Sequence, residues 1–179
     1  LQSGSDRVLK LMHRRYDKSL FAHKLELIKK LMPDAFIGVD VMVGCRGEKP
    51  ELFEECRDFL QSLDVTQLHV FPYSERPGTM ALKIPYIVDE AEKKRRSKQL
   101  LDMSEEKRIA FYQKYIGTTA DVLFEKAAKG KAMHGFTDNY VRVELSATKA
   151  REEYDNQIIK VKLLDFNHDK SALKCEIIG

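Results

Sequence analysis

Two glycines around a short turn offer the clearest opportunity for ligand chemistry in this chain. The segment Gly44-Cys45-Arg46-Gly47-Glu48 follows a strongly apolar stretch, and glycine allows a backbone to approach a nucleotide closely. The segment lacks the Gly-x-x-x-x-Gly-Lys-Ser/Thr spacing of a P-loop. A nucleotide-approaching loop and an ordinary tight turn between a strand and a helix are therefore both open interpretations.

Three cysteines, Cys45, Cys56 and Cys175, are widely spaced along the chain. Their odd number and spacing predict neither a disulfide framework nor a Cys-x-x-Cys metal site, and they fit a reducing compartment. Cys45 follows a predicted parallel strand, at the edge where α/β sheets bind ligands. It has no partner residue nearby in sequence, so a buried inert thiol is favoured over a reactive one. Cys56 lies on an apolar helical stripe and is predicted to be in the core.

The histidines do not form a metal-binding pattern. His69 lies between Leu68 and Val70 on a predicted strand, so its side chain points to the opposite face of the sheet. His13 and His23 share no ligand spacing, and a structural or surface role is predicted for each.

Aromatic and basic residues occur together near the carboxyl-terminal end of the chain. Phe136 and Tyr140 flank a predicted turn, close in sequence to Lys129, Lys131 and Arg142. This mixture suits base stacking combined with phosphate contacts. The alternative is that both aromatic rings lie in a hydrophobic core.

A second basic cluster, Lys93-Lys94-Arg95-Arg96, could also neutralise phosphates. Glu90 and Glu92 are adjacent to it, however, and long polar helices of this kind are commonly just solvated. The net charge of +3 is too small to indicate nucleic-acid binding by itself.

The elements that position these residues alternate between helix and strand over the first part of the chain. Asp17 is predicted to cap a helix with an apolar stripe from Leu20 to Met32. Residues 35–44 are nearly continuously apolar, a pattern typical of a strand covered on both faces by helices. Pro50 begins another predicted helix, and residues 67–71 form a second buried strand. This order predicts a parallel βαβ layer with right-handed crossovers.

The pattern changes after a loop rich in proline at residues 72–88. Residues 89–116 predict one long polar helix of ~42 Å that could bridge two domains. The sequence then predicts five short strands, at 120–125, 131–136, 139–145, 157–164 and 172–178. Five strands in this length favour a small barrel of the oligonucleotide-binding (OB) kind, so the predicted domains are 1–116 and 117–179.

Length and composition limit the class of protein. The chain has 179 residues, of which 43% are hydrophobic and 33% charged, which predicts folded structure rather than disorder throughout. It contains no apolar run of the ~18 residues that a membrane span needs and no signal-peptide pattern. A soluble cytoplasmic protein is predicted. Because the chain begins without Met, inside an apparent turn, we expect it to be a fragment.

Four blocks of sequence resemble the radical S-adenosylmethionine (SAM) methylthiotransferases. The blocks are Leu1-Gln2-Ser3-Gly4-Ser5-Asp6, Arg14-Arg15-Tyr16, Gly38 to Gly44 with Gly47-Glu48, and Leu68 to Thr79. The residues His69-Val70-Phe71 and Tyr73-Ser74 are most similar to the branch that acts on threonylcarbamoyladenosine in tRNA. Residues 118–179 resemble the RNA-binding TRAM barrel of this family.

The resemblance implies a fold of class α/β plus all-β: the carboxyl-terminal part of an incomplete, TIM-like βα barrel, followed by an OB-like TRAM barrel. SAM is expected to lie across the carboxyl ends of the strands, with tRNA bound at its anticodon stem-loop. Neither a membrane nor DNA is an expected partner. The expected SAM contacts are Gln2, Ser3, Ser5, Gly38, Asp40, Gly44, Val70 and Phe71, the last two through their backbone. The expected RNA contacts are Lys129, Lys131, Phe136, Tyr140 and Arg142.

The implied activity is methylthiolation of N6-threonylcarbamoyladenosine beside the anticodon, with SAM and two 4Fe-4S clusters as cofactors. The cysteine triad of the family pattern is absent from this chain, so the cluster ligands are expected elsewhere in a parent enzyme and the chain alone should be inactive. Cys45-Arg46 stands where the family pattern has Phe-Pro. Two alternatives keep the reaction and change the substrate, to tRNA that contains isopentenyladenosine or to a ribosomal protein. A third is a non-catalytic RNA-binding module on an α/β scaffold.

Overall fold

Helices and parallel strands alternate along the first hundred residues of the computed structural model, which describes residues 1–178. The chain divides into unit 1, Leu1–Arg108, and unit 2, which begins at Ile109. The elements that begin in unit 1 are α1 (Asp6–Leu11), α2 (Lys18–Leu31), β1 (Gly38–Val43), α3 (Pro50–Ser62), β2 (Gln67–Pro72), a 3₁₀ turn (Met80–Lys83) and α4 (Glu90–Gln113).

Two helix starts follow the local sequence signals. The Asp17 carboxylate accepts a hydrogen bond from the Leu20 N–H at 2.8 Å and thereby caps α2, as predicted. Pro50 occupies the first turn of α3, where its missing N–H costs no helical hydrogen bond.

The sheet of unit 1 is parallel, as the alternation of elements predicts. β1 and β2 pair with Val39 opposite Leu68. On the other edge of β1, the Gln2 N–H donates to the Asp40 carbonyl at 2.9 Å, and the Met42 N–H donates to the Gln2 carbonyl at 2.8 Å. Three parallel segments therefore lie side by side, with Gln2 at one edge and β2 at the other.

The outer edge of β2 is covered by a side chain of α4. The Ser104 hydroxyl accepts from the Leu68 N–H at 2.8 Å and donates to the Leu68 carbonyl at 3.1 Å. Ser104 therefore satisfies both backbone groups of Leu68 on the edge of β2 that faces away from β1.

The prediction that the first strand is covered on both faces is wrong. Val39, Val41 and Val43 are buried against the helices, but Gly38 and Asp40 are exposed. Alternate side chains of a strand point to opposite faces, and α2, α3 and α4 cover only one of them. The residues that these helices place in the shared core include Leu25, Phe53, Cys56, Leu60, Leu100 and Met103.

Unit 2 is a closed five-stranded barrel, which confirms the prediction for this part of the chain. Its strands are β3 (Thr119–Phe124), β4 (Met133–Thr137), β5 (Arg142–Leu145), β6 (Ile158–Phe166) and β7 (Leu173–Ile177). They close in the order β3-β4-β5-β7-β6, with only β5 and β7 parallel within the part of the chain that the structure describes.

The strand predicted over 139–145 begins later than expected. Tyr140 has a φ of +62°, a left-handed conformation that belongs to a turn rather than a strand. Residues 138–141 therefore form the connection, and β5 begins at Arg142.

Across residues 1–178, we find no helix whose length and apolar character would let it cross a bilayer.

Candidate functional site

One face of the parallel sheet in unit 1 is left open by α2, α3 and α4, and only its Met42 end is partly buried, against Val8, Cys45 and Leu52. Gly38, Asp40 and Met42 of β1 lie on this face beside His69 and Phe71 of β2, and we call these five residues the open face. Asp40 is the cross-strand partner of His69, and Met42 is that of Phe71. Phe71 is 53% exposed. Three of the residues predicted to contact SAM therefore share one accessible surface.

Gln2, in the segment that pairs with β1, has an unsatisfied polar group. Its backbone has a φ of +72°, and its side-chain carbonyl oxygen is buried without a hydrogen-bond partner among the described residues. Such an orphaned acceptor is uncommon and costly in a folded protein. A ligand with N–H donors, such as SAM with its ammonium and adenine amino groups, would satisfy it. Gln2 and the carboxylate of Asp40 thus fit the cofactor that the sequence implies.

Other predicted SAM contacts do not have side chains on the open face. Ser3 and Ser5 are fully buried, and the Ser5 hydroxyl donates to the Glu55 carboxylate at 2.7 Å. Val70 packs against the helix-covered core. Only the backbone of Val70 is therefore available to a ligand on the open face, as the resemblance implies.

Gly44 is enclosed by the protein's own side chains. Its φ is +76°, and a Cβ at this position would lie 2.3 Å from the Lys93 Cγ. Its N–H donates to the Glu48 carboxylate at 2.9 Å. Of the two interpretations of the Gly44–Glu48 segment, the geometry favours a tight turn whose glycine makes room for Lys93.

A buried ion pair lies behind this turn. The Arg96 guanidinium donates to the Glu48 carboxylate at 2.7 Å, with both side chains at most 1% exposed. Burial raises the pKa of Glu48, against the hydrogen bonds from Gly44 and Arg96. Lys93 is also buried. The possibility that the whole Lys93–Arg96 cluster contacts phosphates is therefore wrong for Lys93 and Arg96, because both side chains are buried and paired with carboxylates of the protein.

Cys45 and Cys56 are buried thiols of low reactivity. Cys45 is 2% exposed, and burial, followed by the nearby Glu48, raises the pKa of its thiol to about 12. Burial likewise raises the pKa of Cys56 to about 11, which agrees with the buried-thiol prediction for both residues. Among residues 1–178, no three His, Cys, Asp or Glu side chains gather closely enough to hold a metal ion.

The aromatic pair of unit 2 lies on the outside of the barrel. The rings of Phe136 and Tyr140 are 5.8 Å apart between centroids, and Tyr140 is 65% exposed. The alternative that both rings are core residues is therefore wrong. Arg142 is the cross-strand partner of Phe136, so the structure brings these three predicted RNA contacts together.

Two further residues of this surface were not predicted. Leu123 pairs with Phe136 on one side and with Ile158 on the other. The order Ile158, Leu123, Phe136, Arg142 therefore crosses four strands, and we call it the outer row. Leu123 is 46% exposed and Ile158 70%. The apolar runs around Leu123 and Ile158 could have indicated these exposed residues. Neighbouring residues of a strand face opposite sides, so one apolar residue of each adjacent pair must point outward.

The two predicted lysines line a cleft formed by the segments 126–133 and 147–155. The cleft has a volume of about 590 Å³, and its lining also includes two further basic residues, Lys126 and Arg151, and two acidic ones, Glu152 and Asp155. Lys129 and Lys131 are exposed, and neither they nor Arg142 form an ion pair within the described residues. Lys149, in contrast, is paired with Glu176 at 3.0 Å. Unpaired cations are the ones available to an anionic partner.

Curated proteins similar to this chain modify tRNA. Threonylcarbamoyladenosine tRNA methylthiotransferase MtaB of Bacillus subtilis is 36% identical over 168 residues, which are 92% of this chain and 37% of that protein. The tRNA-2-methylthio-N(6)-dimethylallyladenosine synthase of Finegoldia magna is 34% identical over 171 residues, 93% of this chain and 36% of that protein. MtaB of Aquifex aeolicus is 34% identical over 149 residues, 83% of this chain and 35% of that protein. No family model matches the chain. The chain thus spans little more than a third of the length of these relatives.

Proposed function

We propose that this chain, a homologue of the tRNA methylthiotransferases over most of its length, is the carboxyl-terminal part of such an enzyme. The main support is the sequence similarity over 92% of the chain. The matched region is longer than either structural unit, so it includes residues of both. The proposed reaction is methylthiolation of N6-threonylcarbamoyladenosine beside the anticodon, in the cytoplasm.

Unit 1 would supply part of an incomplete βα barrel. Its three parallel segments, its helices on one side and its open face on the other are the features that such a barrel requires. The covered edge at Ser104 fits a barrel that stops at β2 instead of closing. Further parallel strands would continue the sheet beyond Gln2.

The open face would hold SAM. The orphaned acceptor of Gln2 would receive an N–H donor, the Asp40 carboxylate would accept from hydroxyl or ammonium groups, and the Phe71 ring would exclude water from one side. When bound, SAM and the iron–sulfur clusters supply the radical, sulfur and methyl chemistry. The cluster ligands would lie outside this chain, which should be inactive by itself. The task of the present residues is orientation.

Unit 2 would bind the tRNA. The outer row gives an apolar platform on which an unpaired base can stack, and Arg142 ends the row with a positive charge. Stacking on aromatic residues contributes about 1–3 kcal/mol per base. Lys129 and Lys131 would add phosphate contacts from the adjacent cleft. A looped RNA such as an anticodon stem-loop presents both groups at once.

Nucleoside mass spectrometry tests the proposed reaction. In a strain that lacks the gene, tRNA should lose the 2-methylthio group from N6-threonylcarbamoyladenosine, and the full-length gene should restore it. Loss of the 2-methylthio group from N6-dimethylallyladenosine instead would favour that nucleoside as the substrate. This second candidate is suggested by the similarity to the synthase of Finegoldia magna. An unchanged nucleoside profile would contradict both.

Salt dependence tests the RNA-binding surface. If about five phosphates are neutralised, the logarithm of tRNA affinity should fall against the logarithm of salt with a slope of roughly −3.5. Changing Lys129, Lys131 or Arg142 to Ala should each weaken binding and make this slope shallower. Lys149→Ala is the matched control, because that lysine is already paired. A flat salt response would rule out this surface.

A further inference from the structure

Two loops at the carboxyl ends of the parallel strands are connected by hydrogen bonds. One is the turn after β1, and the other is the long segment 73–89 between β2 and α4. The Tyr73 N–H donates to the Val43 carbonyl at 2.8 Å, and the Gly47 N–H donates to the Tyr86 carbonyl at 2.8 Å. The Lys93 ammonium adds a bond to the Tyr73 carbonyl at 3.1 Å. The long segment is therefore held near both of its ends.

Arg46 makes the central contacts between the two loops. Its Nε donates to the Glu75 carboxylate at 2.6 Å, and its Nη1 donates to the carbonyls of Leu82 at 2.7 Å and Ile84 at 3.2 Å. We call these four residues the Arg46 clamp. The Arg46 side chain is only 14% exposed. Arginine is required for this arrangement, because a side chain without N–H donors, such as proline, could make none of the three bonds.

The Arg46 clamp neutralises the negative charge of Glu75 in the segment 73–89. The hydrogen bond from Arg46 lowers the pKa of Glu75, so the carboxylate stays ionised and its charge is balanced from within. The next residue, Arg76, is exposed and has neither an ion pair nor a side-chain hydrogen bond among the described residues. A positive charge therefore remains uncompensated.

The backbone at Arg76 is fixed as well. The Thr79 hydroxyl donates to the Arg76 carbonyl at 2.9 Å, and Gly78 between them has a φ of +78°, which glycine adopts without strain. Arg76 is therefore displayed on a defined turn whose preceding residue is anchored by Arg46. An uncompensated guanidinium on a fixed turn suits an anionic oxygen such as a phosphate.

We propose that Arg76 contacts a phosphate of the tRNA substrate, and that Arg46 is a positioning residue that holds the turn at 75–79 for this contact. The inference rests on the proposed function, because it needs tRNA as the partner. It adds a contact from unit 1 to those expected from the barrel.

The first test measures binding of total tRNA, taken from the strain that lacks the gene, to the full-length protein over a range of salt. Arg76→Ala should weaken binding about fivefold and make the slope shallower by about 0.7, the share of one phosphate contact. Arg57→Ala removes the same charge from a partly exposed arginine that is paired with Asp58, and this variant should leave binding within twofold.

The second test separates positioning from direct contact. Arg46→Ala should weaken binding about threefold, and the double variant Arg46→Ala with Arg76→Ala should bind no more weakly than Arg76→Ala alone. Glu75→Gln, which keeps an acceptor for Arg46, should bind within twofold of the unmodified protein. If Arg46→Ala does not fold, Arg46→Lys provides the same comparison, with one of the three bonds retained.

The outcomes distinguish this inference from the function on which it rests. Wild-type affinity and slope in Arg76→Ala, with tRNA still bound, would overturn the phosphate contact and leave the proposed function standing. Additive losses in the double variant would overturn the positioning role of Arg46. A wild-type protein that does not bind tRNA would overturn both the inference and the RNA-binding part of the proposed function.

Discussion

Arg95 and Arg96 donate to the same carboxylate, that of Glu92, from very different surroundings. Arg96 is fully buried and also pairs with Glu48, whereas the Arg95 side chain is 53% exposed. Arg96→Ala should lower the free energy of unfolding by about 3–5 kcal/mol, because it leaves the buried Glu48 without its partner. Arg95→Ala should cost far less, since water screens an exposed pair. Chemical denaturation of both variants measures this contrast, and equal losses would contradict it.

Glu92 also gives the protein a defined response to acid. Hydrogen bonds from Arg95 and Arg96 lower its pKa from 4.5 to about 2. A carboxyl with a lowered pKa stabilises the fold above its unfolded-state pKa, and this contribution is lost as the pH falls toward the folded-state value.

We therefore expect Glu92→Gln to be less stable than the unmodified protein at pH 7. The difference in unfolding free energy should shrink between about pH 5 and pH 2. Urea unfolding at a series of pH values measures it. A difference that does not change with pH would show that the charge of Glu92 contributes nothing.

Among the strands, β4 depends on a glycine, Gly135, which is buried on the inner face of the barrel. A Cβ at Gly135 would lie 2.5 Å from the backbone carbonyl of Leu123 and 2.7 Å from the Val122 side chain. Gly135→Ala should therefore destabilise unit 2 by about 1–3 kcal/mol, since a strand backbone cannot move aside cheaply.

Gly38→Ala is the control for this prediction. A Cβ at Gly38 would meet only the tip of the exposed His69 ring, at 3.0 Å, and the ring can rotate away. Thermal unfolding should show a clear decrease in Tm for Gly135→Ala and little change for Gly38→Ala. The opposite order would mean that the barrel tolerates a wider spacing of β3 and β4.

At the scale of the whole molecule, each of the two units has a hydrophobic core of its own. The core of unit 1 surrounds Val41 and Leu60, and the barrel of unit 2 buries Val122, Leu145 and Leu173. A chain with two cores need not unfold in a single step. We expect calorimetry to give a van't Hoff enthalpy smaller than the calorimetric enthalpy. Equal enthalpies would show that the chain unfolds as one cooperative unit.

The sequence by itself determined the features that depend on local periodicity and turn chemistry. The Asp17 cap, the start of α3 at Pro50 and the number of barrel strands follow from side chains close together in the chain. The resemblance of four short blocks to the methylthiotransferases agrees with the relatives of this chain.

The tertiary structure alone decided which faces of these elements are covered and which charges are paired. Lys93 and Lys129 look equally available in sequence, yet one fills the space beside Gly44 and the other lines an open cleft. Nor does local sequence show that Arg46 reaches Glu75, 29 residues away. Burial and ion pairing depend on segments that are distant in the chain and meet only after folding, so periodicity carries no record of them.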